Sequence, residues 1–418
     1  MRNSGTFWII ALLMLLLDFY VYQAIKVVIQ PLSDKWRVFI QYGYWVISIL
    51  TLAALLSFPF IQVLQTSKIF RNYIFAILVG LFLAKLVGSL FFLTDDIRRM
   101  VLWTVSKVFR NTGGQFLGDG QLISRSAFLS WAGLGAGGVL FGTLMYGFGN
   151  KYNYQLKKIA LHFSDLPPAF DGLKIVHISD IHSGSFQDVA AVKKGVDLII
   201  AQNADLILFT GDLVNDRADE MNEYKSIFNQ LKAPMGVFSI LGNHDYGDYV
   251  AWPDASAKTT NLNKLKKVHA EMGWKLLMNE HKVFEKNGDK IALIGIENWG
   301  AKGRFPKYGK MKEAYVGTEQ TPFKILMSHD PSHWDAQVKT EYPDIHLMLA
   351  GHTHGMQFGL ENPYFKWSPV QWMYKQWAGL YEDGNQKLYV NRGFGFIGYP
   401  GRVGILPEIT LLELKLKS

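Results

Sequence analysis

The chain predicts four membrane-spanning helices over residues 1–150, followed by an α/β domain over residues 151–418. Three observations predict this. The first 150 residues hold four apolar runs about as long as a bilayer is thick. The net charge of +8 sits almost wholly among those runs: 12 Lys and Arg stand against 5 Asp and Glu there, and 31 against 30 in residues 151–418. The second half then alternates short apolar runs with helical patterns, and five of the short runs end in clusters of Asp, Asn and His. At 418 residues the chain also exceeds one ordinary domain.

The apolar runs are Thr6–Ile25, Phe39–Leu64, Tyr73–Leu93 and Ala127–Phe148. Each reaches the roughly 20 residues that a helix needs to cross hydrocarbon. Lys, Arg, Trp and Tyr flank them, as at a membrane–water boundary. The first has one Arg before it and no small-x-small site after it, so it is expected to remain as a span. Asp18 and Lys85 fall inside spans one and three. A charge in hydrocarbon is costly unless paired, so an interhelical Asp18–Lys85 ion pair is expected. Gly133/Gly137 and Gly138/Gly142 have the spacing of closely packed spans. Ile97, Met100, Val101, Val105 and Val108 share one helical face, while Arg98, Arg99, Lys107 and Arg110 fall elsewhere. That pattern reads as a basic amphipathic helix lying on an anionic membrane surface.

Orientation follows from the cations near the spans. Loops one and three carry Lys26, Lys35, Arg37, Arg98, Arg99, Lys107, Arg110 and Arg125. The other side carries Arg2, Lys68, Arg71, Lys151, Lys157 and Lys158. The positive-inside tendency puts the first set in the cytoplasm. The expectation is a multi-pass cell-membrane protein with its C-terminal domain extracytoplasmic. Ser124–Ser130 resembles a twin-arginine export signal that has lost its second Arg, which agrees. The absence of cysteine excludes a disulfide framework, Cys-ligated zinc and a thiol nucleophile. The second half carries no basic stripe of the kind that binds nucleic acid.

The α/β half opens with a linker and a first strand before Pro167-Pro168. Leu173–Ile178 is a buried strand that ends in Asp180-Ile181-His182. In extended chain, residues i and i+2 point the same way, so this carboxylate and imidazole converge. Val189–Gln202 has helical spacing. Asp205–Phe209 is a strand ending in Gly211-Asp212. Glu220–Leu231 reads as a helix, and Gly236–Leu241 as a strand ending in Gly242-Asn243-His244-Asp245. A polar helix around Leu262–Met272 precedes short strands near Lys275–Leu277, Lys282–Glu285 and Lys290–Ile296. Phe323–Met327 ends in Ser328-His329-Asp330, and Ile345–Leu349 in Gly351-His352-Thr353-His354. Lys387–Val390 and Ile409–Leu414 close the pattern as strands.

Imidazole and carboxylate donors without thiolate suit Mn, Fe, Zn or Co in a hydrolytic site. Two such ions about 3.5–4 Å apart share a bridging carboxylate, activate water and clamp both oxygens of an in-line displacement at phosphorus. With five motifs of this kind in order, the second half resembles the calcineurin-like metallophosphoesterase family. The resemblance is strongest to the membrane-associated bacterial branch that includes diacylglucosamine-pyrophosphate hydrolases. It implies a four-layer α/β/β/α sandwich. It also implies that Asp180, His182 and His354 bind one divalent ion, that Asn243, His329 and His352 bind a second, and that Asp212 bridges them. His244 would face the leaving group as proton donor or charge stabiliser, with Asp245 orienting it. The ending around Asn391–Gly395, Pro400-Gly401-Arg402 and Pro407–Ile409 also resembles this branch, and Arg402 is the candidate contact to a substrate phosphate.

Two positions depart from the family pattern. Asn215 stands where Asp is frequent and Met356 where Gly is frequent, which touches substrate range rather than reaction. His177 reads as a buried structural residue, and His333 could share a helical face with His329. His162, His269, His281 and His346 lack supporting context. The aromatic stretch Tyr364–Tyr381, with Trp367, Trp372, Trp377, Lys366 and Lys375, reads as a packed hairpin or as a lip dipping into the bilayer interface. Together these readings describe a membrane-anchored two-metal phosphoesterase. Its expected substrate is a lipid-linked or envelope phosphodiester, pyrophosphate or phosphomonoester. The alternative is a transporter or sensor whose spans are regulated by a metal-binding domain.

Overall fold

The computed structural model describes residues 4–57, 60–61, 68–110, 125–303 and 305–417. Leu64, Arg2 and Ser124, which enter the expectations above, lie outside them. The chain forms two compact units, Met1–Tyr146 and Gly147–Ser418.

In the first unit the helices are α1 (Ser4–Ile29), α2 (Asp34–Ser57), α3 (Lys68–Arg110) and α4 (Ala127–Gly147). Among the described residues, all four are long and apolar enough to cross a membrane. The separate amphipathic helix expected over Ile97–Arg110 does not exist as such. It continues the third span as one 43-residue helix, because neither Gly nor Pro interrupts the chain between Gly88 and Arg110. The hydropathy drop at Asp95-Asp96 marks a change of surroundings, not a helix end. Asp95 pairs with Arg98 at 2.9 Å and accepts the Ser126 N–H at 2.8 Å, just ahead of α4. Arg125 pairs with Asp96 at 2.9 Å.

Asp18 and Lys85 meet as an ion pair between α1 and α3. Ser48 Oγ donates to Asp18 Oδ1 at 2.9 Å, and Tyr44 donates to the Asp18 backbone oxygen at 2.8 Å, so α2 joins the same knot. One of the two glycine pairs packs as expected. A Cβ on Gly133 would lie 2.7 Å from the Gly88 carbonyl, and one on Gly137 would lie 2.5 Å from that of Ala84. Gly138 and Gly142 meet nothing within 4 Å and are not a packing face among the described residues.

The second unit holds fourteen described strands. They are β1 (Gln155–Phe163), β2 (Lys174–Ile178), β3 (Leu206–Phe209), β4 (Val237–Ser239), β5 (Lys275–Leu276), β6 (Glu280–Lys286) and β7 (Asp289–Gly295), then β8 (Phe323–Met327), β9 (Leu347–Ala350), β10 (Leu360–Asn362), β11 (Phe365–Trp367), β12 (Gly379–Asp383), β13 (Gln386–Val390) and β14 (Glu408–Leu416). One six-stranded sheet runs β1-β14-β2-β3-β4-β5 and the other β12-β13-β9-β8-β7-β6, with β10 and β11 as a separate hairpin. Ile175, Leu206, Leu208 and Phe238 face Leu293, Ile325, Leu347 and Leu349 in the core between the sheets. The outer face of the first sheet, including Val176, Ile178 and Phe209, packs against α5 (Val189–Ile200) and α6 (Ala255–Glu271). The outer face of the second packs against short helical turns that carry Met311, Ala314, Trp334 and Val338. This is the α/β/β/α sandwich. Strands covered on both faces read as unbroken apolar runs, as here.

The helix expected over Glu220–Leu231 is broken into turns at Ala218–Met221 and Lys225–Phe228. The Glu220 carboxylate accepts the N–H groups of Asn215 at 2.6 Å and Arg217 at 3.3 Å, which fixes a tight turn there. Met221, Tyr224 and Ile227 then recur every third residue, a spacing that suits short turns. Parallel pairing of β2, β3 and β4 aligns their C-terminal ends, and parallel pairing of β7, β8 and β9 does the same in the other sheet. Every polar cluster read from the sequence therefore lies at one edge of the sandwich.

The knot in the first unit makes a checkable statement about stability. Lys85→Leu leaves Asp18 buried without its counter-charge and is expected to cost about 3 kcal/mol. The double variant Asp18→Leu/Lys85→Leu removes both charges and should be the more stable of the two. Thermal unfolding in detergent distinguishes them. A double variant less stable than Lys85→Leu would contradict the pairing.

Candidate metal centre

The loop after β2 brings Asp180 and His182 to the sheet edge, and the loop after β9 brings His354 against them. Their donor atoms all lie within 4.8 Å of one another. A second group, Asp212, His329 and His352, meets the same criterion. Asp212 stands between the groups. Its Oδ2 is 3.5 Å from His182 Nε2 and 3.2 Å from His329 Nε2. Within the first group, His354 Nε2 is 3.2 Å from Asp180 Oδ1. Asn243 Oδ1 is 2.8 Å from His352 Nδ1, and the Asn243 amide N–H is turned away to Tyr249 Oη at 2.9 Å. Two donors each about 2.1 Å from a common ion stand roughly 3.0–3.4 Å apart; the two 3.2 Å pairs fall in that range, and the 2.8 and 3.5 Å pairs lie just outside it.

The donors themselves test the fit. Both nitrogens of His182, and Nε2 of His329 and of His354, are buried without a hydrogen-bond partner. A native fold rarely leaves such groups orphaned, and a divalent ion is the partner that suits one nitrogen of each ring; the second nitrogen of His182 has no partner among the described residues. The opposite nitrogen of His329 is engaged with the Thr210 carbonyl at 2.7 Å, an arrangement that fixes the ring and aims Nε2 at Asp212. His352 is held similarly. Its Nε2 hydrogen-bonds with Tyr374 Oη at 2.9 Å, and Tyr374 lies 3.4 Å from Asp330 Oδ2.

Backbone conformation supplies the rest of the geometry. Asp180, His182, Asp212, His352 and His354 have φ between 47° and 70°, the left-handed region that non-glycine residues avoid. Gly351 and Gly242 leave room for the carboxylates. A Cβ on Gly351 would lie 2.2 Å from Asp180 Oδ2, and one on Gly242 would lie 2.3 Å from Asp212 Oδ1. Burial works against the charged forms of Asp180 and Asp212, yet neighbouring imidazoles, His354 for the one and His329 for the other, hold both below the usual carboxylate range. Burial likewise opposes the His329 imidazolium, but Asp212 and Asp180 push its pKa up to about 10.

Two expected roles are corrected. Asp245 does not touch the His244 ring. Its carboxylate accepts four backbone N–H groups, from Gly242 and Asp212 at 2.9 Å, Leu213 at 2.8 Å and Val214 at 3.3 Å. It staples the β3 loop to the β4 loop because both expose unpaired donors there. His244 is oriented instead by the Asn215 carbonyl, 2.8 Å from Nδ1. Arg402 meets no open cleft. It is fully buried, and it donates to the carbonyls of Arg392 at 2.7 Å, Gly393 at 3.2 Å, His354 at 3.3 Å and Gly395. A C-terminal loop with inward-facing carbonyls needs a many-armed donor, and arginine is one.

The remaining histidines behave as structure. His177 bonds Thr210 Oγ1 at 2.9 Å, and burial lowers its pKa to about 4. His333 bonds Ser328 and Gln337 and shares no helix with His329, which precedes the turn Trp334–Val338. Sequence reasoning missed Tyr374, Tyr249 and the carbonyls of Thr210 and Asn215. Tyr249 follows the Gly242–Asp245 motif by four residues and Tyr374 lies twenty beyond His354, and carbonyls leave no sequence signal.

Metal content and stability separate the two kinds of residue. His182→Ala is expected to lower tightly bound Mn from two ions per chain to one, read by elemental analysis after dialysis. An unchanged count of two would remove His182 from the centre. Asp245→Ala orphans four N–H groups at about 1–3 kcal/mol for a buried unsatisfied donor, so a loss of at least about 3 kcal/mol is expected by chemical unfolding.

Comparison with known proteins agrees with this geometry. Residues 1–150 match the family model "Probable Calcineurin-like phosphoesterase, transmembrane domain", and residues 173–356 match "Calcineurin-like phosphoesterase". The uncharacterized metallophosphoesterase YkuE of Bacillus subtilis is 31% identical over 60% of this chain and 82% of its own length. A transmembrane protein with metallophosphoesterase domain from Danio rerio is 32% identical over 60% of this chain, and the chain spans 55% of that relative. The UDP-2,3-diacylglucosamine pyrophosphatase LpxG of Chlamydia muridarum is 27% identical over 54% of this chain and 78% of its length. Two donor clusters at one sheet edge, four apolar helices ahead of them and these matches lead to one conclusion: the chain is a membrane member of the calcineurin-like metallophosphoesterase family, and a hydrolase.

Proposed function

We propose that the chain hydrolyses a phosphodiester, pyrophosphate or phosphomonoester bond of a lipid-linked or envelope substrate by in-line attack of water at phosphorus. The observation that carries this reading is the Asp212 carboxylate, which faces an imidazole of each donor group at 3.5 and 3.2 Å. In the proposed assignment Asp180, His182 and His354 hold one divalent ion, Asn243, His329 and His352 hold the other, and Asp212 bridges. Such a pair, when bound, supplies Lewis acidity toward water and the phosphoryl oxygens. The identity of the ions, among Mn, Fe, Zn and Co, rests on donor type alone.

The protein's own groups do the rest. His244 stands beside His182, with ring centroids 4.9 Å apart, and its backbone N–H is tied to Asp212 Oδ1 at 2.8 Å. Its Nδ1–H donates to the Asn215 carbonyl, which leaves Nε2 to carry a proton to the departing oxygen. Asp245 holds the backbone that places both His244 and Asp212. A lipid-linked substrate is favoured because a site carried on a membrane protein meets membrane-borne esters at high effective concentration. The LpxG relative is named for a diacylated sugar pyrophosphate, which supports the same class. The catalytic domain is placed outside the cytoplasm on the balance of Lys and Arg near the spans.

The test uses the full chain in detergent with Mn and an activated soluble phosphodiester, beside Asp212→Ala. Loss of at least about 10³-fold is expected, because one substitution disturbs both ions. Equal rates would end the hydrolase mechanism as drawn. His244→Ala should depend on the leaving group. The expected loss is about 10²–10⁴-fold for an alkoxide, the range of general acid catalysis, and far smaller for nitrophenolate. A uniform loss across leaving groups would deny His244 its proton.

A further inference from the structure

Ten large apolar side chains of the second unit are exposed among the described residues, and six of them fall in one stretch of the chain: Met356, Leu360, Tyr364, Phe365, Trp372 and Met373. Tyr364, beside the tip of the β10–β11 hairpin, is 97% exposed and Trp372 is 75% exposed. Scattered apolar residues on a surface need no explanation, but a concentration of this kind does. The hairpin is a built element. Leu360 pairs with Trp367 across it, and the Trp367 ring meets Trp372 at 6.1 Å. Half of the aromatic stretch is core, since Tyr374, Trp377, Val370 and Ile405 pack together. The other half is exposed among the described residues. Its composition, Tyr, Trp and Phe with Lys375 exposed alongside, is that of a bilayer–water interface.

The same element is bonded to the metal loops. Tyr374 Oη hydrogen-bonds with His352 Nε2 at 2.9 Å, Ser368 Oγ donates to the Gly355 carbonyl at 2.8 Å, and Thr353 Oγ1 donates to the Trp377 carbonyl at 2.7 Å. We propose that the surface of Leu360, Tyr364, Phe365 and Trp372 seats in the interfacial layer of a bilayer and delivers to the adjacent metal centre a phosphoester whose other end remains in the lipid. This rests on the hydrolase reading above and names its substrate class: phosphoesters of lipids, taken from the membrane. The occupant is the bilayer because the chain itself carries four helices fit to span one.

The experiment reads position and chemistry separately. The chain has no cysteine, so Tyr364→Cys takes one environment-sensitive dye, and Lys286→Cys, exposed on β6, serves as the control. The full chain is reconstituted in phosphatidylcholine–phosphatidylglycerol vesicles with lipids nitroxide-labelled at the headgroup. The dye at 364 is expected to lose about half its emission while the dye at 286 is unchanged. Equal quenching at both positions would overturn the proposal. So would burial at 364 that follows protein concentration rather than lipid, which would mark a second copy as the occupant.

Activity is then compared on two esters with the same reacting group, hexadecyl p-nitrophenyl phosphate in the vesicles and ethyl p-nitrophenyl phosphate in water. Tyr364→Ser/Trp372→Ser is expected to lose about tenfold on the first and stay within twofold on the second. Equal loss on both, or loss on neither, would overturn the proposal. A wild-type chain that hydrolyses neither ester would instead strike the phosphodiester reading of the site, and the dye would still decide where the hairpin lies.

Discussion

Asp180 and Asp212 lie fully inside the domain among His182, His329, His352 and His354, and burying charge at that density is the demand to which the surrounding loops respond. A buried carboxylate costs several kcal/mol unless it is paired and hydrogen-bonded. Asp180 takes the His352 N–H on both oxygens at 3.0 Å, and Asp212 takes the His244 N–H at 2.8 Å. Each carboxylate thus binds the backbone of the next loop while turning an oxygen toward imidazole. The centre and its scaffold are the same set of bonds, so a change at one carboxylate moves two loops.

The left-handed residues carry a further cost, about 1 kcal/mol or more apiece. It is offset by an unusually complete set of backbone partners. Asp180 N–H bonds the Gly211 carbonyl, His182 N–H the Asp212 carbonyl, and Gly395 N–H the Asp180 carbonyl. Asp245 and Arg402 belong to this set. One supplies acceptors where loops turn donors inward, and the other supplies donors where they turn carbonyls inward. Both lie in motifs that suggest chemistry, and both act on the backbone.

What the sequence made legible follows from this division. Metal-type donors beside glycines at the ends of apolar runs are visible because strand, turn and donor are all local features. Their convergence is visible too, because parallel strands end at one edge. The partners of those donors are not local. Asn215 O reaches His244 across 29 residues, and Thr210 O reaches His329 across 119. A carbonyl is present at every position and marks none. The length of α3 was hidden for another reason: Asp95 and Asp96 look like the end of a span, but their charges are met by Arg98 and Arg125, so the helix continues through them. The broken turns at 218–228 were hidden because every-third spacing is compatible with a helix and with separate turns.

The run His354–Gln357 shows how the metal loop is tied to the aromatic hairpin. All four residues have φ between 50° and 56°, a left-handed turn that three non-glycine residues would abandon if it were free. Two clamps oppose that. On one side Arg402 donates to the carbonyls of His354, Arg392 and Gly393, and Gln357 bonds the Tyr399 carbonyl at 2.8 Å. On the other, Ser368 holds the Gly355 carbonyl and Thr353 holds that of Trp377. Met356 fits this turn with its side chain outward, at a position where glycine would suit the backbone better. Its side chain is the first of the six exposed apolar side chains of this stretch, so that surface begins with it. The turn that fixes a donor of the metal centre is therefore also the root of that surface, and displacement of the hairpin is resisted by the bonds that hold His354.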